Sequence, residues 1–300
     1  MKIAMIGIGD IAQKGYLPVL TSYDDIEIVL CTRNEVVLEN MARKYRINET
    51  YTTIYDVLTS EVEAAFVHSS TESHPEICEQ LLDANIHVFV DKPIAYDADT
   101  AIRLMEKAKE KGLIFMVGFN RRFAPVYDRL YDVKDPNLLI VEKHRAHHPD
   151  QARTFIFDDF IHVIDTLLNV FPYEIKDKQI EARVKDGLLH HVILQLKANE
   201  GTAIGVMNRD SGMNEEQVKL FSSEETIVIK NIHEATVFTG RQATNQGTDD
   251  WEPTLQKRGF YRMTRHFIDA VKLGAVNWNY DEDLQRHIIA EEIVSFIPKK

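Results

Sequence analysis

Lys92, Asp158 and His162 are the residues of this 300-residue chain whose types and spacing suit proton and charge handling at a carbon–oxygen bond. Asp158 and His162 stand four apart, so a helix through both would put a carboxylate and an imidazole on one face. A neutral imidazole can take an alcohol proton at neutral pH and return it in the reverse direction. Lys92 closes an apolar run and precedes Pro93, which would set its ammonium at the carboxyl edge of a buried strand, ready to steady a developing alkoxide. Asp158 and Asp159 have a competing reading as caps of the helix that the apolar run after them predicts. Asp165 reads as helix-surface or structural.

A third stretch, Gly7-Ile8-Gly9-Asp10-Ile11-Ala12, follows a strand-like run and opens a helical one. Gly7 would allow the tight turn, and Gly9 would let a pyrophosphate approach the backbone. Ala12 would keep helix and strand close, and Asp10 and Ile11 lead into a helix whose free amides would meet the anion. NAD-preferring sites of this kind carry an acidic residue at the end of the second strand. Here that strand ends Cys31-Thr32-Arg33-Asn34. The hydroxyl of Thr32 and the guanidinium of Arg33 suit a 2′-phosphate, so NADP(H) is favoured over NAD(H).

The elements that must position these groups follow from periodicity. Strands are predicted over 2–6, 26–31, 64–68, 86–90 and 114–118, with helices to 20 and over 36–45, 74–83 and 97–111. Strand–helix alternation with near-continuous apolar strands predicts a parallel sheet covered on both faces. After Asn120 the rhythm changes. Alternating strands over 138–144, 180–184, 189–196, 202–207, 217–222, 225–229 and 235–238 predict an antiparallel sheet with one open face. Helices are predicted over 160–171, 263–273 and 281–297. The expected fold class is an α/β Rossmann domain (1–120) followed by an α+β domain with a mostly antiparallel, open-faced sheet (121–300).

Composition narrows the function classes. A formal net charge of -12, from 47 acidic and 35 basic residues, argues against a nucleic-acid partner. Two cysteines, Cys31 and Cys78, make neither a disulfide framework nor a zinc pattern. His144, His147 and His148 read as a loop near a cleft, and no metal site is expected. His190 and His191 would alternate faces of a strand and could not chelate together. The apolar start reads as a strand rather than a signal segment, and no run approaches a membrane span, so a cytoplasmic protein without a membrane partner is expected.

Several motifs carry a family resemblance. Asp91-Lys92-Pro93 closing a strand and Asp158-x-x-x-His162 on a helix resemble the glucose–fructose oxidoreductase/inositol dehydrogenase (Gfo/Idh/MocA) group. The runs 66–71, 88–93 and 116–125, Lys143-His144-Arg145, and 251–260 resemble its MviM-like branch over essentially the whole chain. The resemblance implies an NAD(P)-dependent oxidoreductase acting on a polyol, sugar or sugar-derivative alcohol or ketone. In that scheme His162 takes the hydroxyl proton, Lys92 holds the oxygen and Asp158 orients the imidazole or touches a substrate hydroxyl. It also implies cofactor contacts at Ser69, Thr71, His74, Asp91, Lys92, Asn120 and Arg122, with Lys92 steadying the nicotinamide and a structural cap as the alternative for His74. Homodimers or higher homo-oligomers formed through the open sheet are a further implication. A non-catalytic NAD(P)-binding sensor and an imine or enone reductase of the same fold are the alternatives.

Overall fold

The computed structural model describes residues 1–247, 251–274 and 278–298, so 248–250, 275–277 and 299–300 of the expected second domain lie outside the described residues. It divides into two compact units. The first joins Met1–Gly118 to Phe260–His287, and the second joins Phe119–Gly259 to Ile288–Lys300. The expected cut after 120 treats each domain as one continuous stretch. The contacts instead return a C-terminal helical segment to the first unit.

The reason lies at the sheet edge. The first unit holds six parallel strands, β1 (Lys2–Ile6), β2 (Glu27–Cys31), β3 (Thr50–Tyr51), β4 (Ala64–Val67), β5 (His87–Val90) and β6 (Phe115–Val117), in the order β3-β2-β1-β4-β5-β6. An edge strand leaves backbone groups unpaired. At β6 those groups find partners in the C-terminal segment. The Val117 amide donates to Asp283 Oδ2 at 2.9 Å, and Trp278 Nε1 donates to the Phe115 carbonyl at 3.1 Å. Strand order reverses between β1 and β4, the crevice where open α/β sheets take ligands. Helices Glu35–Tyr45, His74–Asp83 and Ala98–Glu110 cover the sheet, the first and third capped by Asn34 and Asp97. The short strand β3 and the helix Ile54–Leu58 have apolar runs too brief to announce themselves in the sequence.

The second unit is built on eight strands, β7 (Leu138–Ala146), β8 (Asp177–Lys185), β9 (Leu188–Lys197), β10 (Thr202–Ser211), β11 (Glu215–Phe221), β12 (Thr226–Lys230), β13 (Glu234–Thr239) and β14 (Gln242–Gln246). Their order is β14-β13-β12-β11-β7-β10-β9-β8, and every pairing is antiparallel except β7 with β10. Strand alternation sorts the two faces. Leu139, Val141, Leu194, Ala203 and Met207 are buried on the face that carries the helix Ile161–Val170. Gly205 lets that helix approach, since a Cβ there would lie 2.7 Å from Val163 and from Leu167. The other face presents the half-buried Ile140, Ile193, Ile204 and Val206. The fold class thus agrees with the periodicity of the sequence. Among the described residues no helix is long and apolar enough to cross a membrane.

Candidate active site

In the first unit the glycine turn opens a cavity of about 810 Å³. Gly7 has φ +83°, and a Cβ there would lie 2.5 Å from the Ser69 amide nitrogen, so both conformation and space demand glycine. At Gly9 a Cβ would meet nothing nearer than the His68 carbonyl at 4.0 Å, which leaves open the approach that a pyrophosphate needs. Gly7, Gly9, Thr32, Arg33 and Ser69 all line the cavity. The residues present therefore fit a dinucleotide. Helical backbone over 10–20 begins directly after the turn and contains a π-type segment, Ala12–Tyr16. Gly7→Ala is expected to abolish detectable dinucleotide binding by calorimetry while Gly9→Ala still folds. Unchanged affinity in both variants would contradict this account of the turn.

Other expected cofactor residues sit elsewhere in the first unit. Asp10 pairs with Lys14 at 2.6 Å in solvent, and Ala12 is fully buried under the sheet. Thr71 opens a single 3-10 turn, Thr71–Ser73. Neither these three nor Ile11, His74 or Asp91 belongs to the lining. His74 is buried, with Nδ1 2.9 Å from the Pro93 carbonyl and Nε2 3.0 Å from the Ser69 carbonyl. It ties the cavity loop to the Lys92 turn from inside the helix, whose N-cap is Ser73, so the capping alternative is corrected. A neutral ring donates from one nitrogen only. Burial nevertheless holds His74 below its ordinary value, against the opposing pull of Pro93 and Asp91.

The turn that carries Lys92 is fixed from several sides. The Lys92–Pro93 peptide is cis. Asp91 Oδ1 accepts from the Lys92 amide at 3.0 Å and from the Tyr16 hydroxyl at 3.4 Å. Burial pushes the Asp91 carboxyl up, with Lys92 and His74 pulling it back. Beyond the proline, the Ile94 amide donates to His287 Nε2 at 3.0 Å, and His287 Nδ1 lies 3.0 Å from the Asp283 carbonyl. Tyr16 packs against His68, with ring centroids 3.9 Å apart and the planes tilted by 32°.

In the second unit the helical backbone starts at 152, well before the expected 160, and runs through a π-type segment, Phe155–Phe160, into Ile161–Val170. Asp158 and Asp159 are therefore interior helical residues, and the capping alternative is corrected. The apolar residues Phe155, Ile156 and Phe157 extend the buried face backward past the aspartates. From 155 to 167 every residue is buried except Asp158 and His162. π-type turns inside helices recur at functional sites.

Asp165 is buried and paired with Arg122, whose guanidinium also lies over the Phe119 ring at 5.2 Å. Burial removes the helix-surface alternative for Asp165 and leaves the structural one, and the pair gives Arg122 a protein partner. Asn120 Nδ2 donates to the Arg258 carbonyl at 2.8 Å. Its neighbour Arg121, buried, forms a forked pair with Glu216 at 2.5 and 2.8 Å.

Sequence reasoning missed a charged cluster on the covered face of the second sheet. Lys143 Nζ lies 2.5 Å from Asp159 Oδ1, Arg145 Nε donates to Asp159 Oδ2 at 2.9 Å, and Arg209 Nε stands 4.0 Å from Asp159 Oδ2. Burial pushes Asp159 up, but Lys143 and Arg145 outweigh it and hold the carboxyl well below its usual range. Burial and Arg121 draw the Lys143 ammonium down to about 7, against Asp159. The signal was present in Lys143-His144-Arg145, because residues two apart on a strand share a face. Among the described residues no group of three or more His, Cys, Asp or Glu could hold a metal ion.

Comparison with known proteins decides the family. Residues 1–119 match the model described as "Oxidoreductase family, NAD-binding Rossmann fold", and residues 125–240 match "YceM-like, C-terminal domain". The Salmonella typhimurium protein YceM is 33% identical over 291 residues, covering 91% of this chain and 90% of that protein. The chain belongs to the Gfo/Idh/MocA oxidoreductase family. A family oxidoreductase from Vibrio cholerae superposes with a TM-score of 0.93 at 34% identity, over 99% of this chain and 97% of that one. The dehydrogenase MviM from Clostridium difficile gives 0.93 at 32%, over 99% of each chain, which fits the MviM-like branch. This family member is thus an oxidoreductase with a nicotinamide-dinucleotide fold.

Proposed function

We propose that this protein transfers hydride between NADP(H) and a secondary alcohol of a polyol, sugar or sugar derivative, reducing the ketone in the reverse direction. One observation carries the reading: Asp158 and His162 alone keep exposure along an otherwise buried helical stretch. A polar pair of this kind, held at a fixed spacing by packing, is what proton transfer requires. Among relatives, a Thermotoga maritima protein named myo-inositol 2-dehydrogenase is 24% identical, over 83% of this chain and 80% of that protein. Its name supports the polyol class.

The nicotinamide, when bound, supplies the hydride acceptor. His162 takes the hydroxyl proton as the carbonyl forms and returns it in reduction. Lys92 holds the same oxygen and stabilises its developing negative charge. Asp158 orients the imidazole or accepts from a neighbouring hydroxyl of the substrate. For the cofactor, Gly7, Gly9 and Ser69 would hold the pyrophosphate side, and Thr32 and Arg33 a 2′-phosphate beside the start of the helix Glu35–Tyr45. Glu76, from the helix His74–Asp83, is the carboxylate in the lining.

Calorimetry tests the cofactor choice. A charge-assisted bond contributes roughly 1.5–3 kcal/mol, or about 10–100-fold. Arg33→Ala is expected to weaken NADPH by that factor and leave NADH within about twofold. Equal loss for both dinucleotides would overturn the NADP(H) preference.

A further inference from the structure

The catalytic scheme leaves the charged cluster of the second unit without a task. It opens on a cavity of about 490 Å³, lined by Arg145, His147, His148, Arg209 and Asn214 together with Asp158 and Asp159. Arg209 is only 5% exposed, and it is seated over the Phe155 ring at 5.0 Å. Its Nε and Nη1 have no hydrogen-bond partner, although Asp150 Oδ2 lies 3.6 Å from Nη1 and Asp159 Oδ2 lies 4.0 Å from Nε. Buried guanidinium nitrogens without a hydrogen bond carry a desolvation cost that a ligand oxygen would relieve.

Charge bookkeeping around Asp159 points the same way. That carboxylate faces Lys143, Arg145 and Arg209, while Asp158 lines the same cavity and Asp150 stands beside Arg209. The Asp159 oxygens accept from Lys143 and Arg145, and at 4.0 Å from Arg209 Nε the nearer one is too far for a hydrogen bond. Asp150 is the more exposed partner, held at a distance too long for a hydrogen bond. The backbone fixes the arrangement. β10 pairs with β7 in parallel and shifts register between Asn208 and Ser211, and the His148 amide donates to the Arg209 carbonyl at 2.6 Å. Irregularities of this kind re-aim side chains beside active sites. His147, in the left-handed region at φ +49°, turns the chain over the cavity.

We propose that this cavity binds an oxyanion of the substrate, so that the alcohol oxidised is an anionic polyol derivative, held through Arg145 and Arg209. The inference rests on the hydride-transfer reading, because Asp158 lines the same cavity and stands one helical turn from His162. The oxyanion takes the guanidinium donors, and Asp158 faces the same cavity. A carboxylate and a phosphate share the required chemistry, a planar or tetrahedral set of acceptors for a guanidinium fork.

The test is calorimetric binding to the protein saturated with NADP+, using gluconate, glucose 6-phosphate, glucose and myo-inositol, with turnover measured in parallel. One of the two anions is expected to bind at least about tenfold more tightly than either neutral compound, in line with a charged hydrogen bond. The anion that does so identifies carboxylate or phosphate. Sulfate should compete with it. Arg209→Gln and Arg145→Gln should each remove most of that advantage, with a clearly smaller effect on the neutral compounds, and Arg209→Lys should restore part of it. Arg145 is 40% exposed at its side chain, so its variant reports even where loss of the buried Arg209 unfolds the protein. Equal affinity for neutral and anionic compounds, or equal losses for both in Arg145→Gln, would overturn the proposal. Anion binding without turnover would instead count against the hydride-transfer reading, and turnover of neutral polyols alone would spare that reading and remove this one.

Discussion

Lys92→Ala is expected to lower kcat by about 10²–10³-fold, the usual cost of deleting one preorganised donor to a developing oxyanion. NADPH affinity should stay within a few-fold, because the cavity lining is made by other residues. The expectation follows from how firmly the turn is held. Asp91 binds the Lys92 amide, His74 meets the Pro93 carbonyl, and His287 accepts from the Ile94 amide. These partners fix the backbone that carries the ammonium. Lys92→Arg, which keeps charge but changes geometry, should recover only a small part of the loss. Stopped-flow measurement of the first turnover separates the chemical step from release. A wild-type rate in Lys92→Ala would remove this residue from the mechanism.

The second large effect is acid lability of the first unit. Burial and the neighbouring His74 depress His68 to about 3. Burial depresses His287 to about 4, against Asp283. Both unfolded values lie near 6.5. As pH falls below 6.5, the unfolded chain gains these protons while the folded chain does not, so stability falls through the window from 6.5 to about 3. At about 1.36 kcal/mol per pH unit, His68 is worth on the order of 5 kcal/mol and His287 on the order of 3 kcal/mol at the acid end. For His287 the structural consequence is direct. Its neutral Nε2 accepts from the Ile94 amide, and the proton removes that acceptor from the Lys92 turn. Urea unfolding between pH 7 and 4 should show a steep loss of stability. His287→Gln, which keeps an acceptor but does not titrate, should reduce the proton uptake on unfolding by about one. A flat profile, or an unchanged slope in the variant, would contradict the assignment.

Much of this was legible in the sequence, and the physical reasons are specific. Strand β1 and helix His74–Asp83 have the bounds that periodicity predicts, because continuous apolar runs meet glycine or polar breaks there. Gly7 and Gly9 marked a tight turn between a strand and a helix, and the structure gives that turn a left-handed Gly7 and an open Gly9. What stayed hidden depends on contacts distant in sequence. The early start of the helical run at 152 required knowing that Phe155 and Phe157 are core, although they precede two aspartates. The return of Phe260–His287 to the first unit required the unpaired edge of β6. Arg209 gave no signal, since its meaning comes from pairing β7 with β10 and from an aspartate fifty residues upstream on a helix.

The central claim is hydride transfer from a substrate carbon with His162 as proton acceptor, and one measurement addresses it most directly. Carbon-deuterated gluconate and sorbitol, each incubated with the protein and NADP+, would be followed by mass spectrometry of the dinucleotide. The expected result is deuterium on the nicotinamide ring, formed about 10²-fold or more slowly by His162→Gln. Tight dinucleotide binding with no label transferred from either compound, or transfer indifferent to His162, would contradict it.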